Sequence, residues 1–83
     1  MYVVEVKKKA MKEIQTLPKK DQQRIIAAFD VLRENPFAGK KLEGEYEGAR
    51  SLRVWPYRII YTIYKNILTV VVLRVGHRKD VYR

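Results

Sequence analysis

The chain has 83 residues, 47% of them apolar, which suits one domain spanning residues 1–83 whose core must be small, because a chain this short buries only about 60% of the surface it exposes when unfolded. It holds no cysteine and a single histidine, which excludes disulfides and a zinc site as staples and predicts a protein of a reducing cytoplasm, with no metal or cofactor. Eighteen Lys and Arg against nine Asp and Glu give a net charge of +9, which implies a polyanionic partner, nucleic acid or an acidic protein.

Tyr2 to Val6 reads as a short strand. Lys7 to Leu17 then carries Ala10, Ile14 and Leu17 on one helical stripe. Pro18 suits a first helical turn, Asp21 places negative charge near that N-terminus, and Ile25, Ala28, Phe29 and Leu32 repeat at helical spacing until Asn35-Pro36 stops the run. A second helix over Pro18 to Glu34 is therefore expected, forming a hairpin with the first. Phe37 to Gly48, interrupted by Gly39, Gly44 and Gly48, reads as a loop. Three β runs follow at Ala49 to Val54, Tyr57 to Tyr64 and Ile67 to Val75, with Lys65-Asn66 as a two-residue turn between the last two. Ile67 to Val75 is also the longest apolar stretch, far short of the roughly 20 residues that span a bilayer, and no signal-peptide pattern precedes Tyr2. Positive charge is spread along strands and tail instead of one amphipathic helix, so no membrane partner is expected.

The turn fixes a register. Tyr64 would face Ile67, Ile63 Leu68, Tyr61 Val70, Ile59 Val72 and Arg58 Leu73. Tyr57, Ile59, Tyr61, Ile63, Leu68, Val70 and Val72 would then share one apolar face beneath the helices. Closing the preceding hairpin at Trp55-Pro56 sets Val54 opposite Tyr57, Leu52 opposite Ile59 and Arg53 opposite Arg58, with both arginines pointing away from the core. Proline cannot adopt the positive φ of the common two-residue turns, so this corner requires a wider turn, a bulge or a cis Trp-Pro bond. Directly opposed guanidiniums repel, which points to an anion between them. The tail adds His77, Arg78, Lys79, Tyr82 and Arg83 directly after the last strand, groups that grip phosphate and orient or move a proton beside it. Lys40-Lys41 could clamp a backbone phosphate and Trp55 could stack on a base. Glu43, Glu45 and Glu47 alternate with no histidine near in sequence and form no paired-acid catalytic site.

Lys41-Leu42-Glu43-Gly44, Arg50-Ser51-Leu52-Arg53-Val54, Tyr57-Arg58-Ile59-Ile60-Tyr61 and Val75-Gly76-His77-Arg78-Lys79-Asp80-Val81-Tyr82, in this order, closely resemble the RelE/ParE toxin superfamily on its RelE side, over essentially the whole chain. The resemblance implies an α+β fold, an N-terminal strand and helical hairpin packed on one face of a small antiparallel sheet. It implies a toxin of a toxin–antitoxin pair that enters the ribosomal A site of the 30S subunit and cuts mRNA by 2′-hydroxyl transesterification, with a cognate antitoxin, the ribosome and mRNA as partners. Carried over by position, Arg58 would hold the scissile phosphate, Arg78 would lie near the leaving oxygen, Tyr82 would orient the reacting nucleotide, and Arg53 would help activate or stabilise the nucleophile. Ser51 stands where the family has a second basic residue, so base catalysis would fall to Lys41, to His77 or to ribosomal RNA. His77, where a lysine often lies, completes the candidate catalytic set. Lys40, Lys41, Arg50, Ser51, Trp55, Lys79 and Arg83 are the candidate RNA contacts around it. Two other readings of the residues stay open, a ParE-like toxin that inhibits gyrase and a non-catalytic basic RNA-binding module.

Overall fold

The computed structural model describes residues 1–81. The first apolar run forms β1 (Val3–Val6), and the lysine-rich segment after it forms a helix, α1 (Lys8–Gln15), which buries Ala10 and Ile14. Pro18, at φ −55°, leads into α2 (Lys19–Glu34), whose buried residues Ile25, Ala28, Phe29 and Leu32 are the expected stripe. Asn35 ends the helix, and its side chain accepts the Phe37 N–H at 3.2 Å, starting a 3₁₀ turn over Pro36–Ala38.

The segment expected to be loop is more ordered than its composition suggests. Lys40–Lys41 form a two-residue edge strand, β2, and Gly44–Tyr46 form a second 3₁₀ turn. Buried Tyr61 organises the stretch before β2: its hydroxyl donates to Pro36 O at 2.7 Å and accepts from the Gly39 N–H at 2.8 Å. Only glycine fits at 39, since a Cβ there would lie 2.5 Å from the Tyr61 hydroxyl oxygen.

The remaining strands are β3 (Arg50–Val54), β4 (Tyr57–Tyr64) and β5 (Thr69–His77), and the sheet order is β1-β5-β4-β3-β2. The sheet is not wholly antiparallel as expected, because β1 pairs with β5 in parallel, from Val3 opposite Thr69 to Val6 opposite Val72. Parallel neighbours cannot be joined by a tight turn, and here the helical hairpin and three other strands separate them in sequence.

The β4–β5 turn also departs from expectation. Instead of a two-residue turn at Lys65-Asn66, a 3₁₀ turn over Lys65–Ile67 leads to Leu68 at φ +49°, and Tyr64 pairs with Thr69. Leu68 is consequently exposed and leaves the apolar face assigned to it. Tyr61 lies opposite Val72 and not Val70; a two-residue shift preserves which side chains share a face. Between Ile60 and Tyr61 the ladder is irregular, its partners stepping from Arg74 to Val72, so Leu73 is the extra residue of a bulge. The bulge lets Val72 and Val75 both enter the helix-side core, and it places Val75 opposite Ile59 and Gly76 opposite Arg58, displacing the expected Val72 and Leu73.

Ile59, Tyr61, Val70, Val72 and Val75 meet the two helices in that core. Fully burying each aliphatic side chain contributes about 1.5–3 kcal/mol. A smaller cluster of Ala49, Ile60 and Val81, with Leu42, Tyr46 and Leu73 packed against it, lies on the other face. Gly76 makes this possible, because a Cβ there would lie 2.9 Å from Val81 Cγ1. The chain turns back after β5 through N–H groups of Asp80 and Val81 donated to His77 O at 2.8 and 3.2 Å, and Val81 is fully buried. Among the described residues no helix is long and apolar enough to cross a membrane.

Candidate active site

Strand alternation places Ser51, Arg53, Arg58 and Ile60 on the sheet face away from the helices, and the β3–β4 ladder sets Arg53 directly opposite Arg58. The expected pairs of Val54 with Tyr57 and Leu52 with Ile59 are also present, and the corner is closed by a cis Trp55-Pro56 bond. Arg53 is exposed and Arg58 half-buried. Neither guanidinium forms an ion pair among the described residues. Arg58 Nη1 instead donates to the hydroxyl of buried Ser51 at 3.4 Å.

Lys40 pairs with Ser51 and so extends the same face to the sheet edge. Lys40, Lys41, Leu42, Glu43, Ser51 and Arg58 line a cleft of about 420 Å³. Three cationic side chains thus border one hollow beside a hydroxyl. Such an arrangement is chemically able to hold a phosphoryl group and to neutralise charge that grows on it. Glu43, set aside as a loop carboxylate, also lines this cleft. Its place after Lys40-Lys41 was the available signal, but that signal needs β2 to be recognised as a strand.

At the other end of the hairpin the tail meets the Trp55-Pro56 turn. The Arg78 N–H donates to Pro56 O at 3.0 Å, and the Arg78 guanidinium carbon lies 4.6 Å from the centroid of the Trp55 ring. From beneath, Arg24 Nη2 of α2 donates to Trp55 O at 2.7 Å, and the Tyr57 hydroxyl donates to Asp21 Oδ2 at 2.6 Å. The hydrogen bond to Asp21 holds the Tyr57 phenol above its ordinary 10.0, with desolvation as the second cause. Sequence reading gave Asp21 only a helix-start role and gave Arg24 none.

Other candidates are placed elsewhere. His77 pairs with Tyr57 and therefore shares the helix-side face, its ring edge-on to the tyrosine at 6.5 Å. It is not brought together with Arg53 and Arg58. Arg50 pairs with Tyr61 on that same face, where Nη1 donates to Gly39 O at 2.8 Å and the guanidinium lies 5.1 Å from the Phe37 ring centroid. Its donors brace the Pro36–Ala38 turn. Lys79 is exposed in the turn after β5, and its N–H donates to His77 Nδ1 at 3.4 Å. Tyr82 and Arg83 lie outside the described residues. No group of three or more His, Cys, Asp or Glu among the described residues could hold a metal ion.

A family model described as the ParE toxin of the type II toxin–antitoxin system parDE matches residues 4–82. The curated protein Toxin RelG of Mycobacterium tuberculosis (strain ATCC 25618 / H37Rv) is 39% identical over 88 residues, covering 99% of this chain and 97% of that protein. Among solved structures, the toxin–antitoxin complex RelBE2 of the same organism contains a chain with a TM-score of 0.86 and 35% identity, over 93% of this chain and 98% of that one. The archaeal RelE–RelB complex of Pyrococcus horikoshii OT3 gives a TM-score of 0.80 at 29% identity, over 95% and 97%.

Proposed function

The chain belongs to the RelE/ParE superfamily of type II toxin–antitoxin toxins, and from that premise we propose that it is a metal-independent endoribonuclease that cuts mRNA in the ribosomal A site. The observation that carries this reading is the opposition of Arg53 and Arg58 on the sheet face away from the helices, beside the cleft that Lys40, Lys41 and Ser51 line. In the reaction the ribose 2′-oxygen attacks the adjacent phosphorus and the bond to the 5′-oxygen breaks. The products are a 2′,3′-cyclic phosphate and a 5′-hydroxyl. Arg58 holds the scissile phosphate, whose equatorial oxygens gain charge as attack proceeds, and Arg53 stabilises the attacking oxygen. Arg78 approaches the leaving oxygen from the tail, and Tyr82 orients the nucleotide. The 2′-hydroxyl proton passes to a base supplied by ribosomal RNA, or to Lys41 at the cleft rim in its unprotonated amine form, and the departing 5′-oxygen takes its proton from that conjugate acid or from solvent. With so little acid–base equipment the enzyme relies on the ribosome to position its substrate, an effect worth up to about 7–11 kcal/mol in well-oriented systems.

The RelBE2 and P. horikoshii relatives are complexes with their antitoxins. A cognate antitoxin is accordingly the proposed regulator here, its acidic segment covering the opposed Arg53 and Arg58 and the lysine-lined cleft. The matching family model carries the ParE name, which favours gyrase inhibition as the second reading. Purified protein added to translating ribosomes, with mRNA 5′ ends mapped, separates the two. Codon-spaced cuts that vanish in Arg58→Ala support the nuclease. Intact mRNA together with inhibited gyrase supports the alternative.

A further inference from the structure

The cluster at the Trp55-Pro56 corner goes beyond the phosphate-holding face. Trp55 is the only tryptophan, and 53% of it is exposed despite lying in a turn between two core strands. A single exposed aromatic is ordinary in itself, and the contacts it makes carry the argument. Its ring carries the Arg78 guanidinium at 4.6 Å, while its carbonyl is held from α2 by Arg24 at 2.7 Å. The Arg78 N–H is fixed to the neighbouring Pro56 O at 3.0 Å. Backbone and side chain of Arg78 are thus both tied to the one hairpin corner that also joins the strands of Arg53 and Arg58.

Contrast the alternatives open to Arg78. Among the described residues it has no ion pair, and it sits in an exposed turn after the last strand, where a long side chain otherwise samples many rotamers. Stacking on an aromatic face fixes the guanidinium plane yet leaves its edge N–H groups free to donate. A carboxylate partner would have occupied those same donors.

We infer that Trp55 is a positioning residue, whose indole ring holds the Arg78 guanidinium at the hairpin corner with its donors available to a phosphate ester. The inference rests on the nuclease reading for its purpose, and on the Trp55–Arg78 geometry for its substance. Trp55 acts through Arg78, and not by stacking on a base of the substrate.

Two measurements test this. In the free protein, the emission of Trp55 in wild type and in Arg78→Ala reports the stack directly: a changed intensity or wavelength is expected, and identical spectra would overturn the contact. On programmed ribosomes, Trp55→Leu is expected to lower kcat about five- to tenfold with KM little changed, and Trp55→Phe, which keeps an aromatic face, to restore most of that loss. The double variant Trp55→Leu/Arg78→Ala should cut no more slowly than Arg78→Ala alone, because the indole has nothing left to position. A further loss in the double variant, or a loss expressed in KM, would replace positioning by direct base stacking. A wild-type protein that cuts nothing overturns the nuclease reading and the catalytic purpose of the stack with it. A cutting wild type with an equally active Trp55→Leu overturns the positioning role alone.

Discussion

Arg74 and Arg58 stand two rungs apart on the paired strands β5 and β4, one opposite Ile60 and the other opposite Gly76, yet they live in different chemistry. Arg74 is gripped by Glu13 of α1, its Nε donating to both carboxylate oxygens at 3.2 and 3.0 Å and its Nη2 to Oε2 at 2.8 Å. Glu13 also accepts the Val75 N–H at 3.0 Å, beyond the point where β1 stops pairing with β5. That carboxylate therefore finishes the sheet edge and ties α1 to it, and its hydrogen bonds raise the Arg74 guanidinium pKa above its ordinary range. Arg58, facing Arg53 and the hydroxyl of Ser51, has no such acid among the described residues. A guanidinium that already owns a bidentate carboxylate is structure; one held against a like charge is the one proposed to receive an anion.

The largest effect separating the two arginines should be on activity. Arg58→Ala is expected to slow single-turnover mRNA cleavage about 10²–10³-fold, the usual cost of losing one fixed donor to a charged transition state. Its urea unfolding midpoint should move little, because the side chain makes one long hydrogen bond. An Arg58→Ala protein that cuts as fast as wild type would remove Arg58 from the site.

Arg74→Ala should do the converse. With side chains 15% and 24% exposed, the Arg74–Glu13 pair is largely desolvated, and removing one partner strands a carboxylate, at about 2–4 kcal/mol of stability. Cleavage per folded molecule, scaled by the folded fraction from circular dichroism, should stay within a few-fold of wild type. Loss of activity in fully folded Arg74→Ala would break the division drawn between the two arginines.

Much of this division was legible in the sequence, though unevenly. The opposition of Arg53 and Arg58 follows from strand period and the position of Pro56, and both are local. The helical stripes were readable for the same reason. What escaped were features fixed by distant residues. The bulge at Leu73 exists because Val72 and Val75 both reach the core, a packing outcome that no alternation rule encodes. Without it His77 and Arg74 cannot be assigned a face, and strand alternation alone cannot show that His77 lies opposite Tyr57, apart from Arg53 and Arg58. The β2 strand escaped because two lysines carry no apolar pattern, and its place depends on Tyr61, about twenty residues further along the chain, holding Gly39 and Pro36. Glu13–Arg74 is an ion pair between elements far apart in sequence, invisible to any window.

Tyr61 gives the smaller tests, since it belongs to the helix-side core yet shapes the cleft edge through its hydroxyl. Tyr61→Phe leaves the Pro36 carbonyl and the Gly39 N–H without their buried partner and should cost about 1–3 kcal/mol in urea unfolding. Because Gly39 leads directly into Lys40-Lys41, the same change should loosen β2 and weaken RNA binding by a few-fold, read as an increase in KM with kcat preserved.

The phenol also predicts a pH signature. Burial raises the Tyr61 pKa above its ordinary 10.0, against smaller lowering contributions from the Gly39 N–H and Arg50. The folded state then keeps a proton that the unfolded chain releases. The stabilisation is complete below about pH 10 and is lost as pH rises from there through the folded-state pKa. Urea midpoints compared near pH 8 and near pH 11 should fall less in Tyr61→Phe than in wild type, since phenylalanine has no proton to hold. Some alkaline loss should persist in that variant, because Tyr57 is raised as well, chiefly by its hydrogen bond to Asp21. An identical fall in both proteins would mean that the Tyr61 hydroxyl ionises as freely folded as unfolded. The burial of that hydroxyl at the edge of the cleft would then be refuted.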